Sequence, residues 1–192
     1  MAFTTRSDIL ALHDAFQRRR PAAYQEFGGL SHEAFNWQPG EGRWSVAQCL
    51  AHISETGMRW ADSLGPVLFS AMRNGVHHRT PHVPGPVGRK AVAMMENLDR
   101  RQKAPGLFRP DRQSSYDLRD SLRIFDALGE SWEATLRRAC LLNTSSLFVG
   151  SPAAKWMQLP LGTWLEALSA HEDRHLEQAQ RVMAADGFPQ RA

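Results

Sequence analysis

"LGTWLEALSAHEDRHLEQAQRV", residues 161–182, is the stretch on which the fold turns. Trp164, Leu168, His171, His175, Ala179 and Val182 recur at steps of three and four, the period of an amphipathic α-helix whose apolar stripe faces a core. Thr163 and Glu166 have the spacing of a capping box at its start, and Gly187 and Pro189 stop it just beyond Ala185. Two histidines thus lie on the core-facing side, about 40° apart in rotation and about 6 Å apart along the axis. Both imidazoles can reach one ion, and a histidine pair in a core must find partners in any case.

The same stretch contains the His-Glu-x-x-His pattern that holds zinc in many metalloproteases. Those enzymes take a third ligand from downstream: a histidine six residues on with a glycine between, or a more distant glutamate. Here position 181 is Arg181, position 178 is Gln178, and only residues 176–192 follow. A protease site is therefore not built, and a third ligand must come from upstream. The best placed is His52, in "WSVAQCLAHIS", residues 44–54. Ser45 is a good N-cap, Gln48 can close a capping box, and Trp44 is placed to pack on Cys49 as a hydrophobic staple. His52 lies beside the stripe of Cys49, Leu50 and Ile53, so it can point inward where the last helix passes.

The rest of the chain reads as further helix. Ile9, Leu12, Phe16, Tyr24 and Phe27 mark a first helix over residues 5–27, with Pro21 expected to bend or interrupt it. After the Gly- and Pro-punctuated loop 28–43, the second helix runs to about Met72, with Gly57 and Gly65-Pro66 as weak points. Residues 74–90 read as a flexible crossover and residues 91–102 as a short helical piece. Leu118, Leu122, Phe125, Trp132, Leu136 and Ala139 mark a third main helix over 115–142, and residues 143–162 read as a loop. No alternating strand pattern of useful length is present. Four long amphipathic helices joined by long crossover connections predict an all-α four-helix bundle, one domain over residues 1–192.

Composition narrows the function classes. With 42% hydrophobic and 22% charged residues over 192 positions, the chain falls in the globular range. Its net charge of +3 is scattered, with clusters only at Arg18–Arg20 and around Arg100, Arg101 and Lys103. Neither cluster is interleaved with exposed aromatics, so both read as solvated helix faces and nucleic acid is not an expected partner. No apolar run approaches a bilayer span and no leader pattern opens the sequence, so a cytoplasmic location is expected, with no membrane partner. Cys49 and Cys140 form no framework and read as small buried residues.

Two stretches carry a family resemblance. "FNWQPGEGRWSVAQCLAHISETGMRW", residues 35–60, resembles the second-helix signature of DinB-like proteins: a Trp-Pro turn, then Trp-Ser, then a histidine eight residues after the tryptophan. Residues 161–182 resemble the closing signature of the same family, His-x-x-x-His followed by Gln three residues on. Residues 74–115 match only loosely. The resemblance implies a four-helix bundle, often a homodimer, with a divalent metal ion such as zinc or nickel held by His52, His171 and His175. It also implies metal-dependent hydrolases or thiol S-transferases among the relatives, the latter acting on a small-molecule substrate through a low-molecular-weight thiol.

Other polar residues have two readings each. Glu172, about 100° from His171, serves as a general base only from a turned-in rotamer and is otherwise a solvated glutamate. Glu55, three residues after His52, and Gln178, three after His175, can orient a ligand imidazole or bound water, or are ordinary surface residues. Cys49 is one turn from His52. His77, His78 and His82 read as mobile loop residues, or else as a lid or a weak metal site, and His13 and His32 raise the same question. Three imidazoles suit zinc, nickel, copper and iron alike. Two further readings stay open: a non-catalytic ion stapling two helices, and a metal-free bundle with hydrogen-bonded histidines.

Overall fold

The computed structural model describes residues 6–75, 80–97, 104, 106–110 and 115–189. Their helices are α1 (Ser7–Phe27), α2 (His32–Asn36), α3 (Val46–Arg73), α4 (Pro86–Glu96), α5 (Leu118–Ala139) and α6 (Leu161–Met183), with a single 3-10 turn at Gly106–Phe108. The chain is mostly helical, as its periodicity predicts. α1 and α3 each pack against both α5 and α6, and α4 lies along the outside of α6. One apolar cluster joins these faces, from Ile9 and Phe16 in α1 through Leu50 and Leu64 in α3 and Trp132 in α5 to Leu165 and Ala179 in α6.

The start of α3 is built as its sequence specifies. Ser45 Oγ accepts from the Gln48 N–H at 3.1 Å, and the Ser45 N–H donates to Gln48 Oε1 at 3.1 Å. Gln48 Oε1 also accepts from Gln38 Nε2 at 2.7 Å, which ties the preceding loop to the cap. Neither internal proline breaks its helix: α1 continues through Pro21 and α3 through Pro66. Pro21 is on the exposed side of α1, where water can satisfy the carbonyl left without a donor. At Gly57 the spacing is set by a close approach: a Cβ there would lie 2.6 Å from Leu128 Cδ1 of α5.

Four expectations are corrected. α4 begins at Pro86, five residues before the expected short helix, because a proline at the first helical position needs no hydrogen-bond partner. The expected loop 143–162 contains an antiparallel hairpin, β1 (Phe148–Ser151) and β2 (Ala154–Pro160), paired Val149 with Leu159 and Phe148 with Pro160. Its apolar burial rests on Val149 and Leu159, too few to mark a period-two pattern. α6 starts at Leu161 without a side-chain cap: the Leu161 N–H donates to Leu147 O at 2.7 Å and the Gly162 N–H to Thr144 O at 3.0 Å. Loop carbonyls thus satisfy these helix-start N–H groups, and Thr163 is fully buried instead of capping.

The fourth correction concerns the arginine cluster of α1. Arg19 is buried and bonds across to α6, through Nε to Asp173 Oδ1 at 2.7 Å and Nη2 to Ser169 Oγ at 2.8 Å. Arg20 pairs with Asp126 of α5 at 3.0 Å. The cluster is therefore largely internal wiring, not a solvated face. The basic cluster at 100–103 lies outside the described residues. No helix among the described residues is long and apolar enough to cross a membrane.

Candidate metal centre

α3 and α6 cross where His52 faces His171 and His175, and the ligand-capable nitrogens of the three rings lie within 4.8 Å of one another. Ring centroids are 4.9 Å apart for His52 and His171, 4.4 Å for His52 and His175, and 4.6 Å for His171 and His175. His52 Nε2 and His171 Nε2 are 3.0 Å apart. With nitrogen–ion distances of about 2.0–2.1 Å, two ligand nitrogens stand about 2.9 Å apart at a right angle and about 3.3 Å apart at a tetrahedral one. The observed separation falls between these values. In the absence of an ion, the same separation is that of one proton shared as an N–H···N bond.

The far side of each anchored ring fixes which nitrogen points inward. His52 Nδ1 donates to the Phe108 carbonyl at 2.6 Å, and Thr56 Oγ1 lies 3.5 Å from the same nitrogen. His175 Nδ1 donates to Gln178 Oε1 at 2.9 Å. In both rings Nε2 is left as a lone pair directed at the cluster, the arrangement by which outer partners orient metal-binding histidines. Burial drives all three imidazoles to the neutral, ligating form. Desolvation, opposed by the Phe108 carbonyl, lowers His52 to about 4. His171 is lowered to about 3, by desolvation first and then by His52 and Arg174. His175 lies well below its ordinary value, through desolvation and then the neighbouring rings.

The residues present therefore fit a divalent ion: three neutral nitrogen donors on two helices, two of them oriented from behind. His52 and His175 are buried, and His171 is of intermediate exposure as a residue. A family model described as the DinB superfamily matches residues 15–179, a span that includes all three histidines.

The chain belongs to the DinB superfamily.

Comparison with curated proteins and with solved structures returned no match. Within this DinB-superfamily chain, the remaining residues singled out from the sequence are placed as follows. Gln178 is the partner of His175. Glu55 is exposed on α3. Glu172 is buried, and its carboxylate accepts from Trp132 Nε1 at 2.7 Å and from Arg19 Nη1 at 3.4 Å, so it is held toward α1 and α5. Burial raises it to about 7 against the opposing pull of Arg19 and Trp132. Cys49 is fully buried, which pushes its thiol well up. His13 lies beside Asp14, and His32 beside Ser115 Oγ at 2.8 Å.

His77 and His78 lie outside the described residues. His82 lies in a loop as expected, but it is buried and hydrogen-bonded, not the mobile residue expected. Its ring nitrogens lie 2.9 Å from Ser145 Oγ and 2.9 Å from Thr163 Oγ1, and its backbone N–H donates to Asp8 at 2.9 Å. It packs so closely on Gly162 that a Cβ there would lie 2.2 Å from the ring. Sequence reading also missed Trp44 and Phe108 as parts of the centre. Trp44 packs on the His52 ring at 4.8 Å and the His175 ring at 5.5 Å, in addition to preceding the cap of α3. Phe108 contributes a backbone carbonyl, for which no residue type is a signal.

Proposed function

We propose that the protein is a four-helix-bundle metalloprotein in which His52, His171 and His175 hold one zinc or nickel ion. The proposed activity is that of a metal-dependent hydrolase or thiol S-transferase. The observation that carries this reading is the convergence of three neutral imidazoles, two of them, His52 and His175, locked by Phe108 and Gln178. A bound divalent ion would supply Lewis acidity there, lowering the pKa of a water or of a low-molecular-weight thiol.

The chain's own groups define what else the site accepts. Three neutral ligands leave the charge of the ion uncompensated. Arg174, a cation, adds a small further lowering of His171 and His175. The uncompensated charge of the ion favours an anionic further ligand such as hydroxide or thiolate. His52 and His175 stay neutral and oriented while that ligand exchanges, because their Nδ1–H groups are held by oxygens.

A second reading is an ion that staples α3 to α6 without catalysis, favoured by the burial of His52 and His175 on different helices. Elemental analysis of untagged protein beside a His52, His171 and His175 triple-alanine variant tests the common premise. About one divalent ion per chain, lost in the variant, supports it, and no ion after reconstitution with zinc and nickel overturns it. Thiol-transfer and hydrolysis assays of the loaded protein then separate the readings: turnover supports the enzyme, whereas stability gained without turnover supports the staple. The homodimer implied by the resemblance and the cytoplasmic location expected from the sequence are separate proposals, addressed by light scattering and by cell fractionation.

A further inference from the structure

Trp44 occupies a place that its sequence role does not require. A hydrophobic staple needs only an apolar contact with the first turns of α3. The indole instead spans two rings from different helices, 4.8 Å from His52 at 54° and 5.5 Å from His175 at 31°. Its backbone is held next to the Ser45–Gln48 capping box, which is tied through Gln48 to Gln38 of the preceding loop. The side chain is only half-buried, so one part packs on the imidazoles and another meets solvent. Trp44 thus touches two of the three rings, those of His52 and His175.

We propose that Trp44 is a positioning residue of the three-histidine centre, restricting the orientations that the His52 and His175 rings adopt about a bound ion. This rests on the metal-binding reading above. The argument is steric and rotational. An imidazole anchored only through Nδ1 can still rock about that hydrogen bond, and a broad rigid ring packed on it at a tilt, 54° for His52 and 31° for His175, limits that freedom. Phe108 and Gln178 set which nitrogen points inward, and Trp44 sets the ring plane. A phenylalanine retains a flat face at the same position. Alanine retains none, and leucine fills volume without a plane.

The test loads wild type, Trp44→Ala, Trp44→Leu and Trp44→Phe with Zn2+ or Co2+ alone. It records chelator extraction rates and the visible spectrum of the Co2+ form, with circular dichroism as the fold control. The expected result is extraction about tenfold or more faster from Trp44→Ala and Trp44→Leu, the scale on which outer partners affect metal sites. Trp44→Phe should stay close to wild type, and the Co2+ spectrum should change in the alanine and leucine variants alone. Should Trp44→Ala not fold, the leucine and phenylalanine pair decides: the same rates and spectra as wild type in both overturn the proposal. Failure of wild type to take up either ion overturns the metal-binding reading and this one together. Normal uptake with unchanged extraction from the folded alanine or leucine variant overturns the role of Trp44 alone.

Discussion

The indole N–H of Trp132 in α5 donates to Glu172 Oε1 of α6 at 2.7 Å, and the other carboxylate oxygen faces Arg19 of α1 at 3.4 Å. Three helices are thereby joined at one buried carboxylate, next in sequence to His171. Phe16 stacks on Trp132 at 5.1 Å and lies under the Arg19 guanidinium at 5.0 Å, so the network is embedded in apolar surface. Its position fixes the rotation of α6: with Glu172 turned toward α1 and α5, His171 and His175 face α3.

Arg19→Met should therefore be destabilising. The change removes the bonds to Asp173 and Ser169 and the cation beside Glu172. Glu172, already raised to about 7, then takes up a proton instead of standing as a bare buried charge. The cost should therefore be about 1–3 kcal/mol and grow as pH rises. Denaturant unfolding at neutral pH measures it. A loss below about 1 kcal/mol, the scale of exposed pairs, would show that the pair is effectively solvated.

Gly57 and Leu128 form a tight contact between α3 and α5. Gly57→Ala places a Cβ 2.6 Å from Leu128 Cδ1 and should cost about 1–3 kcal/mol by overpacking. Leu128→Ala alone should cost about 2–5 kcal/mol through the cavity it leaves. The double variant should be more stable than the sum predicts by at least about 0.5 kcal/mol, because each change relieves the other. Strict additivity in a double-mutant cycle would disprove the contact.

Glu166 gives a pH dependence with a defined sign. Burial, with Asp8 and Glu96 nearby, raises its carboxyl from 4.5 to about 7. The folded protein thus holds a proton between these values that the unfolded chain releases, and stability falls as pH rises through that window. Glu166 is only half-buried, so screening reduces the effect to about 1 kcal/mol. Glu166→Gln should flatten the profile between pH 4.5 and 7 and be the more stable form at pH 8. An unchanged slope in urea unfolding would refute the shift.

Gln178→Ala removes the acceptor behind His175 Nδ1. Metal affinity should drop about 10–100-fold, while the stability of the metal-free protein changes little, since Gln178 is only partly buried. Competition with a chromophoric chelator provides the reading. Wild-type affinity would mean that the ring is held by packing alone.

Helices and ligands were legible in the sequence to different degrees for a physical reason. The stripes of α3, α5 and α6 repeat over many turns, so an amphipathic period accumulates, and the cap of α3 is a local pattern, Ser45 with Gln48 three positions on. The hairpin at residues 148–160 escaped because two buried apolar side chains make no period. The cap expected at Thr163 failed because carbonyls of Leu147 and Thr144, supplied by the loop before α6, had already satisfied the helix start.

The sequence by itself determined that this chain is helical and that His171 and His175 share one helix face, since both follow from the 3.6-residue turn. It also pointed to His52 as the third ring, through the inward stripe of a well-capped helix. Only the tertiary structure decided that the three rings meet, that Glu172 turns away from them to Trp132 and Arg19, and that Trp44 and the Phe108 carbonyl face them. Those relations join residues far apart in the chain, and helical periodicity sets which face a residue occupies but not what packs against it.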